Sequence, residues 1–271
     1  MKQIERLKYR VVFVVLVYRN TQDSRDYFKY IEIKDSHTIV VNSYYDEQTE
    51  IEFKKIALKA EADFISVPNK GYGVGNNAGI EYALKHYMFD FLVVSNADIE
   101  IKYFEVSLLD DYESCIIAPR LISLSGKNQN SSSPYKPCAL FEKFRYFAFK
   151  NNHTKLIWLA YAYSRLTKII FYLLCKWRKR NFSAHGAFLI MHYEVVKRLH
   201  PLYNERMFLF NEEEHLGRKA ESNEINTWYE PRIIIGHKED GSMKVASVNE
   251  FEKARESFIE YYNYWMLNKR L

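Results

Sequence analysis

The stretch NKGYGVGNNAG, Asn69 to Gly79, places four of the chain's nine glycines directly ahead of IEYALKHY. A glycine-rich turn brings backbone close to something that side chains would keep away. When such a turn opens a helix, it aims N–H groups and a positive dipole end at an anion, so a phosphate is the first candidate. The competing reading is a tight strand-to-helix turn with no ligand. Two familiar phosphate loops are excluded by spacing. A dinucleotide fingerprint needs G-x-G-x-x-G directly after the first strand, and a Walker loop ends in Gly-Lys-Ser/Thr. This stretch has neither, and it follows the third strand-like run, DFISV (63–67).

Outward from the glycines, strand and helix patterns alternate. VVFVVLVY (11–18) is a β-branched run of buried-strand length, and residues 22–33 look helical. TIVVN reads as a strand, EIEFKKIALKA as a helix, and a helix from about Asn76 to Tyr87 leads to the strand FLVVSNAD. Alternation at this spacing predicts an α/β fold, a mostly parallel central sheet flanked by helices. Ligands of such sheets sit beyond the carboxyl ends of the strands. The rhythm then breaks. KNQNSSSPYKP (127–137) reads as a polar, mobile loop, followed by LFEKFRYFAFK and KLIWLAYAYSRLTKIIFYLLCKWRKR. The last third returns to short motifs: the strand SAHGAFLIM, FLFNEEEHLGRKA entering a helix, PRIIIGHKEDGS, and a charged C-terminal helix.

Bulk properties narrow the function. With 271 residues, 48% of them hydrophobic, the chain can bury a real core and is not disordered. Its net charge of +5 comes without zinc spacing, an RNP-type motif or a basic arm, so no nucleic-acid partner is expected. Cys115, Cys138 and Cys175 are odd in number and far apart, which fits thiols in a reducing cytosol. The basic, apolar start lacks a small-residue cleavage site and is expected to be the first core strand, not a signal peptide.

Three further places carry candidate chemistry. Asp98 ends a strong apolar strand in SNADIE, where a carboxylate either caps a turn or holds a hard cation. Glu212 to Glu214 follow Phe208-Leu209-Phe210; they suit a solvated helix N-terminus, or one of them serves as a general base beside an apolar wall. His237 in GHKEDGS is either a structural histidine or a ligand at a strand end.

In this order, the motifs resemble family 2 glycosyltransferases of the GT-A fold, especially the bacterial rhamnosyltransferase-like branch. That branch carries N-x-G-f-g-x-g-n-N-x-G after its third strand, matched by NKGYGVGNNAG. Its N-P-D segment is answered by Asn96-Ala97-Asp98, and its acceptor-site strand by His185-Gly186-Ala187-Phe188. Its F-x-Y-x-E-D-x-D-L-x-x-R is answered by Phe208 to Leu216 with Lys219 at the Arg position, and its H-x-x-x-x-S by His237 to Ser242. Departures are Ala97 for Pro, Glu213 for Asp, His215 for an acidic residue and Lys219 for Arg.

The resemblance implies a single GT-A domain over residues 1–271. Residues 1–122 would form the nucleotide-sugar half, 123–180 a mobile loop with an amphipathic helical insertion, and 181–271 the acceptor and catalytic half. It implies an inverting transfer from a UDP- or dTDP-linked sugar to a saccharide acceptor, lipid-linked in surface polysaccharide synthesis such as capsule or O-antigen. Asn20, Asn42, Asp46, Asn69, Gly71, Gly73, Asn76, Asn77 and Asn96 would line the nucleotide-sugar site. Asp98 and His237 would hold Mg²⁺ or Mn²⁺, and His185 and Gly186 would lie on the acceptor side. Glu213 would be the base, Glu212 would orient its neighbours, and Glu214 would face solvent. A sugar nucleotidyltransferase and a catalytically decayed scaffold of the same fold are the alternatives.

From Leu159 to Trp177 apolar residues recur at helical spacing with a wide apolar face, and WRKR follows. The expectation is a helix lying in an anionic membrane interface at the inner face of the cell membrane. A helix packed on the core, or in a homo-oligomer contact, is the competing reading.

Overall fold

The first strand forms because residues 11–17 are an almost unbroken run of β-branched and aromatic side chains that can only be satisfied by burial on both faces. In the computed structural model, which describes residues 7–29, 33–130, 136–174, 179–238 and 250–267, this strand lies inside a nine-stranded sheet, third from one edge. Strand β1 (Leu7–Val17) leads through α1 (Thr21–Tyr27) to β2 (Ser36–Tyr44), and α2 (Glu47–Lys59) leads to β3 (Asp63–Pro68). Then α3 (Tyr72–His86) runs into β4 (Tyr87–Asn96), with β5 (Ile99–Tyr103) and β6 (Ile116–Ser123) beyond. The second half holds α4 (Ala139–Lys150), α5 (Thr154–Leu174), β7 (Lys179–Asn181), β8 (Phe188–His192), α6 (Tyr193–Leu199), α7 (Glu212–Ser222), β9 (Thr227–His237) and α8 (Glu250–Tyr262).

The strand order is β3-β2-β1-β4-β8-β6-β9-β5, with β7 pairing β9. The run β3-β2-β1-β4 is parallel, as the alternation predicts. Beyond it the sheet is mixed: β8 lies antiparallel between β4 and β6, and β9 pairs parallel with β6 and antiparallel with β5. One apolar core fills the face under α3, α6 and α7, and a second fills the face under α1 and α2. A third, smaller cluster joins α4 and the start of α5 to α8 through Phe149, Ile157, Phe258 and Trp265.

The glycine stretch is where the structure departs most from the sequence reading. The helix begins at Tyr72, so Gly73, Gly75 and Gly79 lie inside it and not in a loop. A side chain at Gly79 would collide with Val14 of β1 and stand 2.6 Å from Val41 Cγ2 of β2, and one at Gly73 would stand 2.8 Å from Tyr203 Cβ. Glycine pays for this helix's direct seating on the sheet with backbone entropy. Smaller departures follow the same logic of local satisfaction. The helix of residues 22–33 ends as α1 at Tyr27, and 183–187 of SAHGAFLIM form a loop before β8. Of the polar loop, residues 127–130 are tied down, because Gln129 N–H donates to Leu121 O at 2.8 Å and Asn130 is buried. Residues 131–135, 175–178 with Cys175, and 239–242 of GHKEDGS lie outside the described residues.

In an exposed helix interior, Gly→Ala stabilises by about 1 kcal/mol. Here Gly79→Ala should instead destabilise by about 1–3 kcal/mol, because its methyl meets two stiff valines. The urea midpoint reads the sign directly. A more stable variant would mean that α3 does not rest on β1 and β2 as closely as described.

Candidate active site

The parallel strands deliver their carboxyl ends to one edge, and the register brings distant residues together there. Ser95 of β4 pairs Phe188 at the start of β8, while His237 at the end of β9 pairs both Ser123 and Ile99. Asp98, in the turn between β4 and β5, therefore stands beside His237, with Oδ2 3.4 Å from Nε2 and both side chains buried. His237 Nδ1 meets Gln129 Oε1 at 2.7 Å, and the His185 ring lies 5.6 Å away, centroid to centroid.

An amide oxygen only accepts, so Nδ1 donates to Gln129 and the other ring nitrogen, Nε2, faces the Asp98 carboxylate. An imidazole nitrogen and a carboxylate oxygen thus share one buried spot. Their spacing exceeds a hydrogen bond and approaches that of neighbouring ligands on one small cation, about 3 Å apart for metal–oxygen bonds near 2.1 Å. Among the described residues no group of three His, Cys, Asp or Glu side chains is placed to hold a metal. In chemistry and spacing the pair fits two ligands of a Mg²⁺ or Mn²⁺ ion that takes its remaining ligands from elsewhere.

The second half of the site is built around the loop that precedes β8. Gly186 N–H donates to Glu213 Oε1 at 3.1 Å, and the Tyr72 hydroxyl donates to Gly186 O at 2.7 Å. A side chain at Gly186 would stand 3.1 Å from that hydroxyl and 3.5 Å from Glu213 Oε1. His185 N–H donates to Asn130 Oδ1 at 2.5 Å, Ala187 N–H to His185 Nδ1 at 3.1 Å, and Asn96 N–H to Ala187 O at 2.9 Å. His185 and Gly186 thus stand between the Asp98–His237 pair and Glu213.

The glutamates reach this loop because Phe210 and Asn211 both hold left-handed backbone, at φ 73° and 63°. A bulky residue there is strained, and such strain persists where surroundings enforce it. Here α8 supplies the enforcement: Ser257 donates to Leu209 O at 2.7 Å, and Asn211 Nδ2 to Ala254 O at 3.3 Å. Glu212 is then buried, with Oε1 lacking a hydrogen-bond partner. Burial, and then the neighbouring Glu213 charge, raise its carboxyl to about 8. Glu213 is half-buried. Glu214 does not face solvent as expected; it accepts both contacts of Arg145 at 3.2 Å, on a side chain 25% exposed. His215 is buried, accepts from Trp265 Nε1 at 3.0 Å, and is lowered to about 4 by burial and Lys219, so it is neutral and structural.

Four of the expected nucleotide-site residues are covered by neighbouring segments. Gly71 (φ 108°) packs on the Phe208 backbone, whose carbonyl accepts the Tyr72 N–H at 2.9 Å, so the first turn of α3 is covered and not an open anion cradle. Gly73 lies under Tyr203. Asn77 uses both ends of its amide on the Tyr203 peptide, at 3.0 and 3.1 Å, and Asn76 is fully buried, donating to Tyr72 O. The other five stay at the strand edge. Asn20 caps α1 and donates to Asp23 Oδ2 at 2.6 Å, and Asp46 caps α2 through Thr49. Asn42 is buried, with Nδ2 3.0 Å from Ser66 Oγ and Oδ1 unpartnered. Asn69 is exposed after β3, and Asn96 ends β4. Sequence reasoning missed Tyr72, Gln129 and Asn130. The aromatic residue between the first two glycines, Tyr72, was the one available signal.

Glu212 sets a pH test. Its folded value, about 8, lies above the ordinary 4.5, so the folded protein keeps a proton that the unfolded chain releases. Stability from this group is full below about pH 4.5 and is lost as pH rises toward about 8. Glu212→Gln should therefore flatten the decline of Tm across that window and raise Tm at its upper end. Parallel Tm profiles of the two proteins would contradict the burial.

No family model matches the chain, and no curated protein does. Solved structures do. GalNAc-T7, determined with UDP, GalNAc and Mn²⁺, aligns with TM-score 0.60 at 11% identity over 97% of this chain and 50% of its own. S. aureus TarS aligns at 0.54 and 10% over 96% and 44%, and its 1–349 fragment at 0.52 and 11% over 96% and 73%. The chain spans about half the length of the two longer proteins. At these identities the likeness is one of architecture, and the chain has the GT-A glycosyltransferase fold.

Proposed function

We propose that this protein moves a glycosyl group, with inversion, from a nucleoside-diphosphate sugar to a hydroxyl of a saccharide acceptor. The observation that carries the reading is the 185–187 loop, flanked by the buried Asp98–His237 pair and by Glu213 hydrogen-bonded to Gly186. The UDP- and Mn²⁺-bound GalNAc-T7 neighbour supports a nucleotide sugar and a divalent cation. Resemblance of the ordered motifs to the rhamnosyltransferase-like branch supports a UDP- or dTDP-linked donor and a lipid-linked acceptor in surface polysaccharide synthesis.

Glu213 accepts the proton of the acceptor hydroxyl as its oxygen attacks the anomeric carbon. The bond from that carbon to the diphosphate oxygen breaks, and its electron pair leaves with the nucleoside diphosphate. Attack and departure on opposite faces invert the centre. Glu212, protonated near neutral pH, adds no second negative charge beside Glu213. Asp98 and His237 would hold the divalent cation, which supplies charge neutralisation for the leaving diphosphate. Asn20, Asn42, Asp46, Asn69 and Asn96 lie where the nucleoside and sugar would be held.

The test is release of nucleoside diphosphate from a panel of nucleotide sugars, with Mn²⁺ or Mg²⁺ and saccharide acceptors. Glu213→Gln should lose about 10²–10⁴-fold in rate with donor binding intact. Asp98→Ala should abolish transfer together with cation-dependent donor binding, and His237→Ala should lose less. Pyrophosphate release from nucleoside triphosphates would assign nucleotidyl transfer instead. Full activity of Glu213→Gln would remove it as the base.

A further inference from the structure

Helix α5 is apolar on two opposite sides. Ile157 and Ala160 are buried toward the rest of the protein. At 100° per residue the opposite side, an arc of about 140°, carries Trp158, Leu159, Tyr163, Leu166, Ile169 and Ile170. These six side chains are between 49% and 70% exposed. Scattered exposed apolar residues are ordinary, but six on one helix face form a contiguous patch that calls for a covering partner.

Charge identifies that partner. Residues 139–180 contain ten Lys and Arg and one acidic residue, Glu142. Their formal charge of +9 exceeds the chain's total of +5, so the remainder is net negative. Glu142 is buried in an ion pair with Arg218 and offers its surroundings no negative charge. A second copy docked through this face by a twofold axis would set two such basic segments against each other. An anionic bilayer supplies hydrocarbon for the stripe and counter-charge for its flanks. Spanning is a different matter: no helix among the described residues is long and apolar enough to cross a membrane.

We infer that the outward stripe of α5 docks the protein on an anionic lipid surface, with the helix lying in the interface plane. The anchor is joined to the candidate site through α4, which shares one apolar cluster with the start of α5 and with α8. On α4, Glu142 pairs with Arg218 of α7 and accepts from Tyr261 of α8 at 2.8 Å, while Arg145 reaches Glu214 at 3.2 Å and lies 4.0 Å over the Phe258 ring. Docking through α5 therefore fixes the orientation of α7, whose first turn carries Glu212 and Glu213. This inference does not depend on the proposed transfer chemistry.

The test uses the full chain with phosphatidylcholine vesicles and with vesicles containing phosphatidylglycerol, followed by flotation and by quenching of Trp158 fluorescence with brominated lipid. The Trp158→Phe protein serves as the blank for the other three tryptophans. Binding is expected on the anionic vesicles, weakened by salt because exposed charges are screened within about 8 Å at physiological ionic strength. Lys155→Glu with Arg165→Glu should weaken it at least about tenfold, at about 1 kcal/mol per basic residue. Leu159→Glu with Leu166→Glu should abolish it while Tm stays at the parent value, both positions being exposed. Asp98→Ala should bind vesicles like the parent, which separates this inference from the transfer reading. Equal binding to both lipids, no binding to either, or a dimer dispersed by the Leu159/Leu166 pair would overturn it.

Discussion

Everything at the candidate site depends on how the peptide groups of His185, Gly186 and Ala187 are satisfied. These residues precede β8 without regular pairing of their own, and buried backbone polar groups need partners. The Ala187 N–H finds its partner locally in His185 Nδ1, and the other four partners come from different parts of the chain: Asn130 from the loop after β6, Glu213 from α7, Tyr72 from α3 and the Asn96 N–H from β4. Three residues thereby tie the parallel half of the sheet to the helices of the second half. Loss of any one partner would leave a buried group unsatisfied, at about 1–3 kcal/mol.

That tie explains features that look unrelated in the sequence. Tyr72 reaches Gly186 because α3 rests directly on β1 and β2, which the absent side chains of Gly75 and Gly79 permit. Glu213 reaches it because α8 holds Phe210 and Asn211 in left-handed backbone just before α7. The covering of the α3 N-terminus by the 203–208 segment follows from the same seating, through Asn77 and the Phe208 carbonyl. The glycines thus act on the site through packing.

The parallel half of the fold was legible because buried parallel strands write themselves as unbroken apolar runs, as in 11–17 and 91–94. The strand-edge location of Asp98 and His237 was legible for the same reason, once each strand's end was fixed. Their proximity was implied only by the family resemblance, since it depends on β9 pairing both β5 and β6 in a register that no local pattern encodes. The packing role of the glycine stretch was not legible, because a packing glycine and a ligand-cradling glycine look alike without the surface they face. Asn130 was hidden inside a polar run whose composition signals a loop, while its amide is committed to His185 and Pro119. Glu212 and Glu214 differ only by environment, one buried without a partner for Oε1 and the other paired to Arg145.

The account's central claim is that the strand edge at Asp98 and His237 receives a cation together with a nucleoside diphosphate. Pulsed electron paramagnetic resonance of Mn²⁺ with UDP and ¹⁵N-histidine-labelled protein tests it most directly. Phosphorus couplings from the diphosphate and a nitrogen coupling from histidine should appear on the same bound ion, and the nitrogen coupling should vanish in the His237→Ala protein. A bound Mn²⁺–UDP complex with phosphorus couplings and no histidine coupling would place the diphosphate elsewhere and contradict the account.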